Sequence, residues 1–197
     1  MKILLVGGFL GSGKTSFILQ LAHYMADKMG IANIAILENE IGELSVDDQL
    51  IKGGGLEVRT LFSGCVCCSM AGELPDAIHK IREELDPEWL IMEATGLAFP
   101  GSIKANILLH FDITCRVCCL ADAKRWSRIL FAMPQLAEDQ LSSADIILIN
   151  KIDLVDEETV GKVEESIKKI NEEAVVSTIC AENRIPEGIF ERVLQEG

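Results

Sequence analysis

The sequence predicts an α/β fold with a mostly parallel central sheet flanked by helices on both faces. Two observations carry this. Segments of strand and helix character alternate along the chain, the pattern of βαβ units, and the glycine-rich segment GFLGSGKT (residues 8–15) directly follows the first apolar run, Lys2–Val6. At 197 residues, 49% hydrophobic and 25% charged, the chain has room for a full core. One domain over residues 1–197 is expected.

The elements follow in order. Lys2–Val6 is the first strand, and the helix after the glycine-rich segment places Phe17, Leu21 and Met25 on one face. Asn33–Leu37 reads as a strand that ends in the acidic segment ENEIGE (Glu38–Glu43). Lys52–Gly55 (KGGG) is a loop tip, and Val58–Phe62 a short strand. Leu74, Ile78, Ile81 and Leu85 recur at helical spacing until Pro87 stops the helix. Trp89–Met92 is a buried strand that delivers Glu93; Ile113–Leu120 is another, followed by Asp122. Ile146–Ile149 leads into NKID (residues 150–153). Val160, Val163, Ile167 and Ile170 make the apolar face of a late helix. Ala174–Ile179 is the last strand, with a terminal helix after Pro186. There are no repeats and no low-complexity linker.

The segment GFLGSGKT matches G-x-x-x-x-G-K-[ST], so the fold expected is that of a P-loop NTPase. Its glycines let consecutive N–H groups turn inward around phosphates, Lys14 neutralises β/γ charge, and the Thr15 hydroxyl can ligate Mg²⁺. NKID reads the base. A carboxylate at Asp153 accepts from guanine N1–H and the 2-amino group, whereas adenine presents an unprotonated N1. An unpaired buried group costs roughly 1–3 kcal/mol, enough to select GTP over ATP. The nucleotide-binding residues expected are therefore Gly8, Gly11, Ser12, Gly13, Lys14, Thr15, Ser16, Asn150, Lys151 and Asp153. Glu93 arrives where a Walker-B acid holds or orients the Mg²⁺ shell, and Glu38 ends the second strand on the same edge. Thr15, Glu38 and Glu93 are the expected magnesium residues, and Lys14 and Glu93 the catalytic ones. Gly96, within EATG, can donate its N–H to a γ-phosphate. Hydrolysis is expected to be slow, because no water-positioning Gln or arginine finger is evident in cis. His23, His79 and His110 read as surface or packing residues.

Cys65, Cys67 and Cys68 fall within GCVCC, before a helix expected to begin near Ser69. Thiolates are favoured at a helix N-terminus and are soft ligands for Zn²⁺ or Cu(I). A structural zinc site has four ligands, and only three sulfurs are local, which suits a metal that must be handed on. The other group, Cys115, Cys118 and Cys119, lies inside a strand: Cys115 and Cys119 point one way and Cys118 the other, so core packing is expected. Cys180 is unassigned, in a loop (Cys180–Glu182) placed near the base.

The net charge of −13, with no basic stripe, argues against a nucleic-acid partner. Met1–Val6 is too short for the apolar core of a signal peptide, and no apolar stretch approaches the ~20 residues of a membrane span. A cytoplasmic protein with reduced cysteines and no membrane partner is expected.

GFLGSGKT, ENEIGE, GCVCC, EATG and NKID, in that order, resemble the nucleotide-binding domain of CobW-type metallochaperone GTPases, within the broader CobW/HypB/UreG group. The resemblance covers about residues 3–180, and GC-x-CC is its specific part. It implies a slow GTPase that couples GTP/GDP and Mg²⁺ to binding and delivery of a transition metal, most often zinc, sometimes cobalt (Co²⁺). Cys65, Cys67 and Cys68 then look like the metal-binding triad, with Glu38 and Glu43 as carboxylates that can join it. The implied partner is a client metalloprotein or cofactor-dependent enzyme; a nucleotide-dependent homodimer, or the client, is expected to supply the groups missing in cis. Members of the family usually carry a C-terminal domain and often a histidine-rich stretch, whereas this sequence ends at Gly197 with only three histidines, which leaves client docking and metal storage unassigned or on another polypeptide. Two rival functions fit the motifs. One is a GTP-dependent conformational chaperone for a corrinoid or other cofactor enzyme, without metal transfer. The other is a redox-sensing GTPase switch, in which Cys65 pairs with Cys67 or Cys68.

Overall fold

The computed structural model describes residues 1–31, 33–38, 59–62 and 73–195. Among them run seven parallel strands in the order β3-β2-β4-β1-β5-β6-β7. These are β1 (Lys2–Gly8), β2 (Ile34–Glu38), β3 (Arg59–Phe62), β4 (Trp89–Glu93), β5 (Cys115–Asp122), β6 (Ile146–Asn150) and β7 (Val175–Thr178). The helices are α1 (Lys14–Met29), α2 (Glu73–Leu85), α3 (Pro100–His110), α4 (Trp126–Ala132), α5 (Pro134–Leu141), α6 (Glu157–Ile170) and α7 (Glu187–Leu194).

The sheet is buried on both faces because alternate residues of each central strand feed separate cores. In β1, Ile3 and Leu5 join one core while Leu4 and Val6 join the other. The first core is roofed by α2 to α6 through Ile78, Ile107, Trp126, Leu141 and Ile167. The second is roofed by α1 and α7 through Phe17, Leu21, Met25, Phe190 and Val193. The spacing of Phe17, Leu21 and Met25 predicts that face, and all three are buried. Cys115 and Cys119 lie in the first core and Cys118 in the second, as strand alternation requires. Burial pushes the Cys115 thiol up to about 11 and Cys119 to about 12, and it raises Cys118 well above the usual thiol range.

Helix ends follow local chemistry. The left-handed Gly30 closes α1, its N–H bonded to the Met25 carbonyl. Asp156 caps α6 by accepting from the Thr159 N–H at 2.8 Å. Glu157 and Glu158 sit in that helix's first turn and Lys168 and Lys169 in its last, matching the helix dipole. Proline opens α3 and α5.

Several strands run further than their apolar stretches predict. β1 continues to Gly8, β4 to Glu93, β5 to Asp122 and β6 to Asn150. A polar side chain ends the hydrophobic run without ending the backbone ladder, so the chemistry-bearing residues are the last rungs of their strands. β5 starts later than expected, at Cys115, and β7 spans only Val175–Thr178. Two short helices, α4 and α5, fill the β5–β6 connection, where no helical period was legible. Among the described residues, no helix is long and apolar enough to cross a membrane.

Candidate functional site

The glycine-rich segment joins the carboxyl end of β1 to the first turn of α1. Two of its glycines are required by space as well as by backbone angle. Gly8 has φ 129°, and a Cβ there would run into the Leu120 carbonyl oxygen. Gly13 has φ 98°, and a Cβ would collide with the Asn150 side-chain amide. Lys14 follows as the first residue of α1. Its ammonium, 4% exposed, lies 3.8 Å from Glu93 Oε1 and 3.5 Å from the Phe9 carbonyl. The Thr15 hydroxyl donates to the same carboxylate at 3.2–3.3 Å. These contacts are long, so Lys14 can leave them for a phosphate at low cost. The Leu37–Met92 pairing of β2 with β4 brings Glu38 to the same edge as Glu93.

The NKID segment closes the other side. Asn150 is buried, donates to the Ser12 carbonyl at 2.7 Å, and accepts from the N–H groups of Lys151 (2.8 Å) and Ala181 (2.9 Å). One amide therefore ties together the glycine-rich loop, the end of β6 and the segment after β7. Lys151 adopts φ 63°, in the left-handed region that costs a non-glycine residue roughly 1 kcal/mol. Its turn starts the short 3₁₀ helix Ile152–Leu154 that brings Asp153 to the cleft. The Lys151 ammonium reaches the Gly11 carbonyl at 2.6 Å and the Asp122 carboxylate at 2.9 Å.

These walls enclose a cleft of about 390 Å³. Gly11, Gly13, Lys14, Thr15, Ser16 and Glu93 line one end; Asn150, Lys151, Asp153, Leu154, Cys180, Ala181 and Glu182 line the other. The two sequence motifs, separated by more than half the chain, thus face each other across one cavity. Ser12 is fully buried and is not among the lining residues. Gly8 sits at the last rung of β1 behind the loop. The Cys180–Glu182 segment lines the cleft beside Asp153, the position sequence order suggested. The hydrogen bond from the Cys180 thiol to Asp153, with partial burial, raises its pKa. Gly96 lies against Leu10, and its carbonyl accepts from Gln140 at 2.6 Å. None of the three histidines lines the cleft.

Glu43, Cys65, Cys67, Cys68 and the expected helix start near Ser69 lie outside the described residues. Among the described residues no cluster of His, Cys, Asp or Glu is arranged to hold a metal ion. Sequence reasoning missed Asp122 and Arg125 as members of the site. Asp122, at the end of β5, pairs in register with Asn150 and binds Arg125 and Lys151. Its burial pushes the carboxyl pKa up, but the ion pairs with Lys151 and Arg125 outweigh that and hold it below the usual range. The one available signal was an aspartate directly after an apolar strand.

Comparison with known proteins bears on family and fold. The profile of the family described as "CobW/HypB/UreG, nucleotide-binding domain" matches residues 2–178. The chain belongs to this family. This CobW/HypB/UreG domain is 36% identical over 190 residues to the Zinc chaperone YjiA of Escherichia coli K12, covering 91% of this chain and 57% of that protein. It is 31% identical over 183 residues to the Zinc chaperone CobW of a Sinorhizobium species, covering 77% and 51%. Among solved structures, Zn(II)-bound YjiA GTPase from E. coli superposes with a TM-score of 0.71 at 28% identity, covering 98% of this chain and 61% of that one. The chain spans about half the length of the curated relatives it matches. The all-parallel sheet with helices on both faces is the P-loop NTPase fold that the sequence predicts.

Proposed function

We propose that residues 1–197 form one GTP-binding P-loop domain that hydrolyses GTP slowly and couples its nucleotide state to binding and delivery of a transition metal, zinc first. The observation that carries the nucleotide half is the shared cleft, with phosphate-type groups at one end and Asn150, Lys151 and Asp153 at the other. Inward N–H groups of the glycine-rich loop and Lys14 take the phosphates. Asp153 accepts from guanine, Leu154 and Ala181 flank the ring, and Asn150 holds the three segments in place. The Thr15 hydroxyl and the Glu93 carboxylate lie within 3.3 Å of each other, a pair of hard oxygen donors suited to Mg²⁺. Bound there, Mg²⁺ would neutralise charge on the β- and γ-oxygens. Glu93 orients the attacking water.

The metal half rests on sheet topology and on the relatives' names. In sequence, Cys65 follows Phe62, the last residue of β3, by three positions. β3 ends on the same edge as the glycine-rich loop, with β2 and β4 between it and β1, a lateral distance of about 14 Å. Cys65, Cys67 and Cys68 supply thiolates, with Glu38 and Glu43 as added carboxylates; cobalt is the alternative cargo. The segments flanking this loop, after Glu38 and before Glu93, are those a γ-phosphate pulls on. Metal and GTP affinities are then coupled, and reciprocally so; tenfold coupling equals about 1.4 kcal/mol. Two relatives are named zinc chaperones, which supports zinc as the cargo and a client metalloprotein as the recipient. A second copy across the nucleotide, or the client, supplies further transition-state stabilisation.

Zinc titrations of the nucleotide-free protein and of its GDP and GTP-analogue complexes test the coupling. Affinities that differ about tenfold between complexes are expected, and identical affinities in all three would end the proposal. Replacing Cys67 and Cys68 together with serine should abolish tight zinc binding and leave GDP binding intact.

A further inference from the structure

Three consecutive carbonyls of the glycine-rich loop are held from outside by side chains. Leu10 O accepts from Arg125 at 2.6 Å, Gly11 O from Lys151 at 2.6 Å, and Ser12 O from Asn150 at 2.7 Å. In a planar trans peptide the N–H points opposite to the carbonyl of the same unit. Arg125 does not line the cleft, so holding the Leu10 carbonyl on its side aims the Gly11 N–H of the same peptide the other way, and Gly11 lines the cleft. The Ser12 N–H is used differently, closing a turn onto the Phe9 carbonyl at 3.0 Å, and Ser12 does not line it.

Lys151 and Asn150 belong to the NKID segment, whereas Arg125 belongs to no motif. Its side chain is 44% exposed, yet it is anchored at two points. Its Nε donates to Asp122 Oδ2 at 2.8 Å and its backbone N–H to Asp122 Oδ1 at 3.1 Å. The Asp122 side chain is 1% exposed and is itself fixed by β5–β6 pairing opposite Asn150. The guanidinium lies against Gly11, which has φ 69° and no side chain to stiffen it. A glycine peptide rotates readily, so its orientation must come from outside the loop.

We propose that Arg125, anchored by Asp122, is a positioning residue for the phosphate cradle: it holds the Leu10–Gly11 peptide so that the Gly11 N–H is presented to the nucleotide's β-phosphate. The proposal rests on the guanine-nucleotide reading above and adds a residue outside its motifs. Arg125 acts through the loop and needs no contact with the nucleotide.

The test compares GDP and GMP affinities of the full chain by calorimetry for wild type, Arg125→Ala and Arg125→Lys, with thermal melting of each. Loss of one charge-assisted hydrogen bond that orients a phosphate donor should weaken GDP binding about tenfold. GMP, which lacks the β-phosphate, should change less than about threefold, and Arg125→Lys should recover part of the GDP affinity because it keeps a charged donor. Unchanged GDP affinity in Arg125→Ala overturns the proposal. So does an equal loss for GDP and GMP, which would mark a general loosening of the fold. If wild type itself binds no GDP, the nucleotide reading fails first, and this assignment falls with it.

Discussion

Replacing Asn150 with alanine removes a side chain that joins the glycine-rich loop, β6 and the segment after β7. Asn150 is 2% exposed and makes three hydrogen bonds of 2.7–2.9 Å, to Ser12 O, Lys151 N and Ala181 N. A neutral intramolecular hydrogen bond contributes about 1 kcal/mol net, so three give about 3 kcal/mol. Ser12 and Ala181 are themselves buried, so their stranded carbonyl and N–H would not regain water freely, and the upper bound rises to about 4 kcal/mol. If the cleft admits solvent to the gap, the cost falls to about 2 kcal/mol. Against a total stability of about 5–15 kcal/mol this is large but survivable. Urea denaturation of the nucleotide-free chain reads it as a lower midpoint at an unchanged slope. A destabilisation below about 1 kcal/mol would refute the claim that this amide bears the joint.

If Glu93 orients the attacking water as proposed, Glu93→Gln should leave GDP affinity within a few-fold and lower GTP turnover by about a hundredfold or more in a single-turnover assay. Asp122 has a depressed carboxyl pKa, so its contribution to stability is fully present above the unfolded value of about 3.9 and is lost as pH falls through the lower folded value. Denaturation midpoints measured from pH 6 down to pH 3 should therefore fall less steeply at the acid end in Asp122→Asn than in wild type. In thiol labelling at pH 8, Cys115, Cys118 and Cys119 should stay unmodified in the folded protein, because burial raises all three pKa values, while Cys180 at the cleft reacts slowly. Rapid labelling of Cys118 would contradict its place in the second core.

Much of the fold was legible because apolar runs and helical periods report burial directly. The runs before Gly8, Glu93 and Asn150 announce central strands, and Phe17, Leu21 and Met25 announce the helix that covers one face. The strand ends were less legible. Periodicity registers hydrophobicity, whereas a β-ladder registers backbone hydrogen bonds, and these part company at Glu93, Asp122 and Asn150. α4 and α5 escaped because seven- and eight-residue helices hold too few turns for a period to emerge.

The candidate site divides along the same line. Residue types at fixed spacing specify the glycine-rich loop and NKID, since each motif's chemistry lies within a few consecutive residues. Cys118 and Cys119 could be assigned to opposite cores from alternation alone, which is a local property of a strand. Which distant groups complete the cleft is a different matter. That Asn150 grips Ser12, that Cys180 hydrogen-bonds to Asp153, and that Asp122 anchors an arginine reaching Leu10 all depend on the order β1-β5-β6-β7 and on the register pairing Asp122 with Asn150. Contacts between groups tens to more than a hundred residues apart leave no trace in local spacing. They exist only once parallel pairing has brought the carboxyl ends of β1, β5 and β6 to one edge.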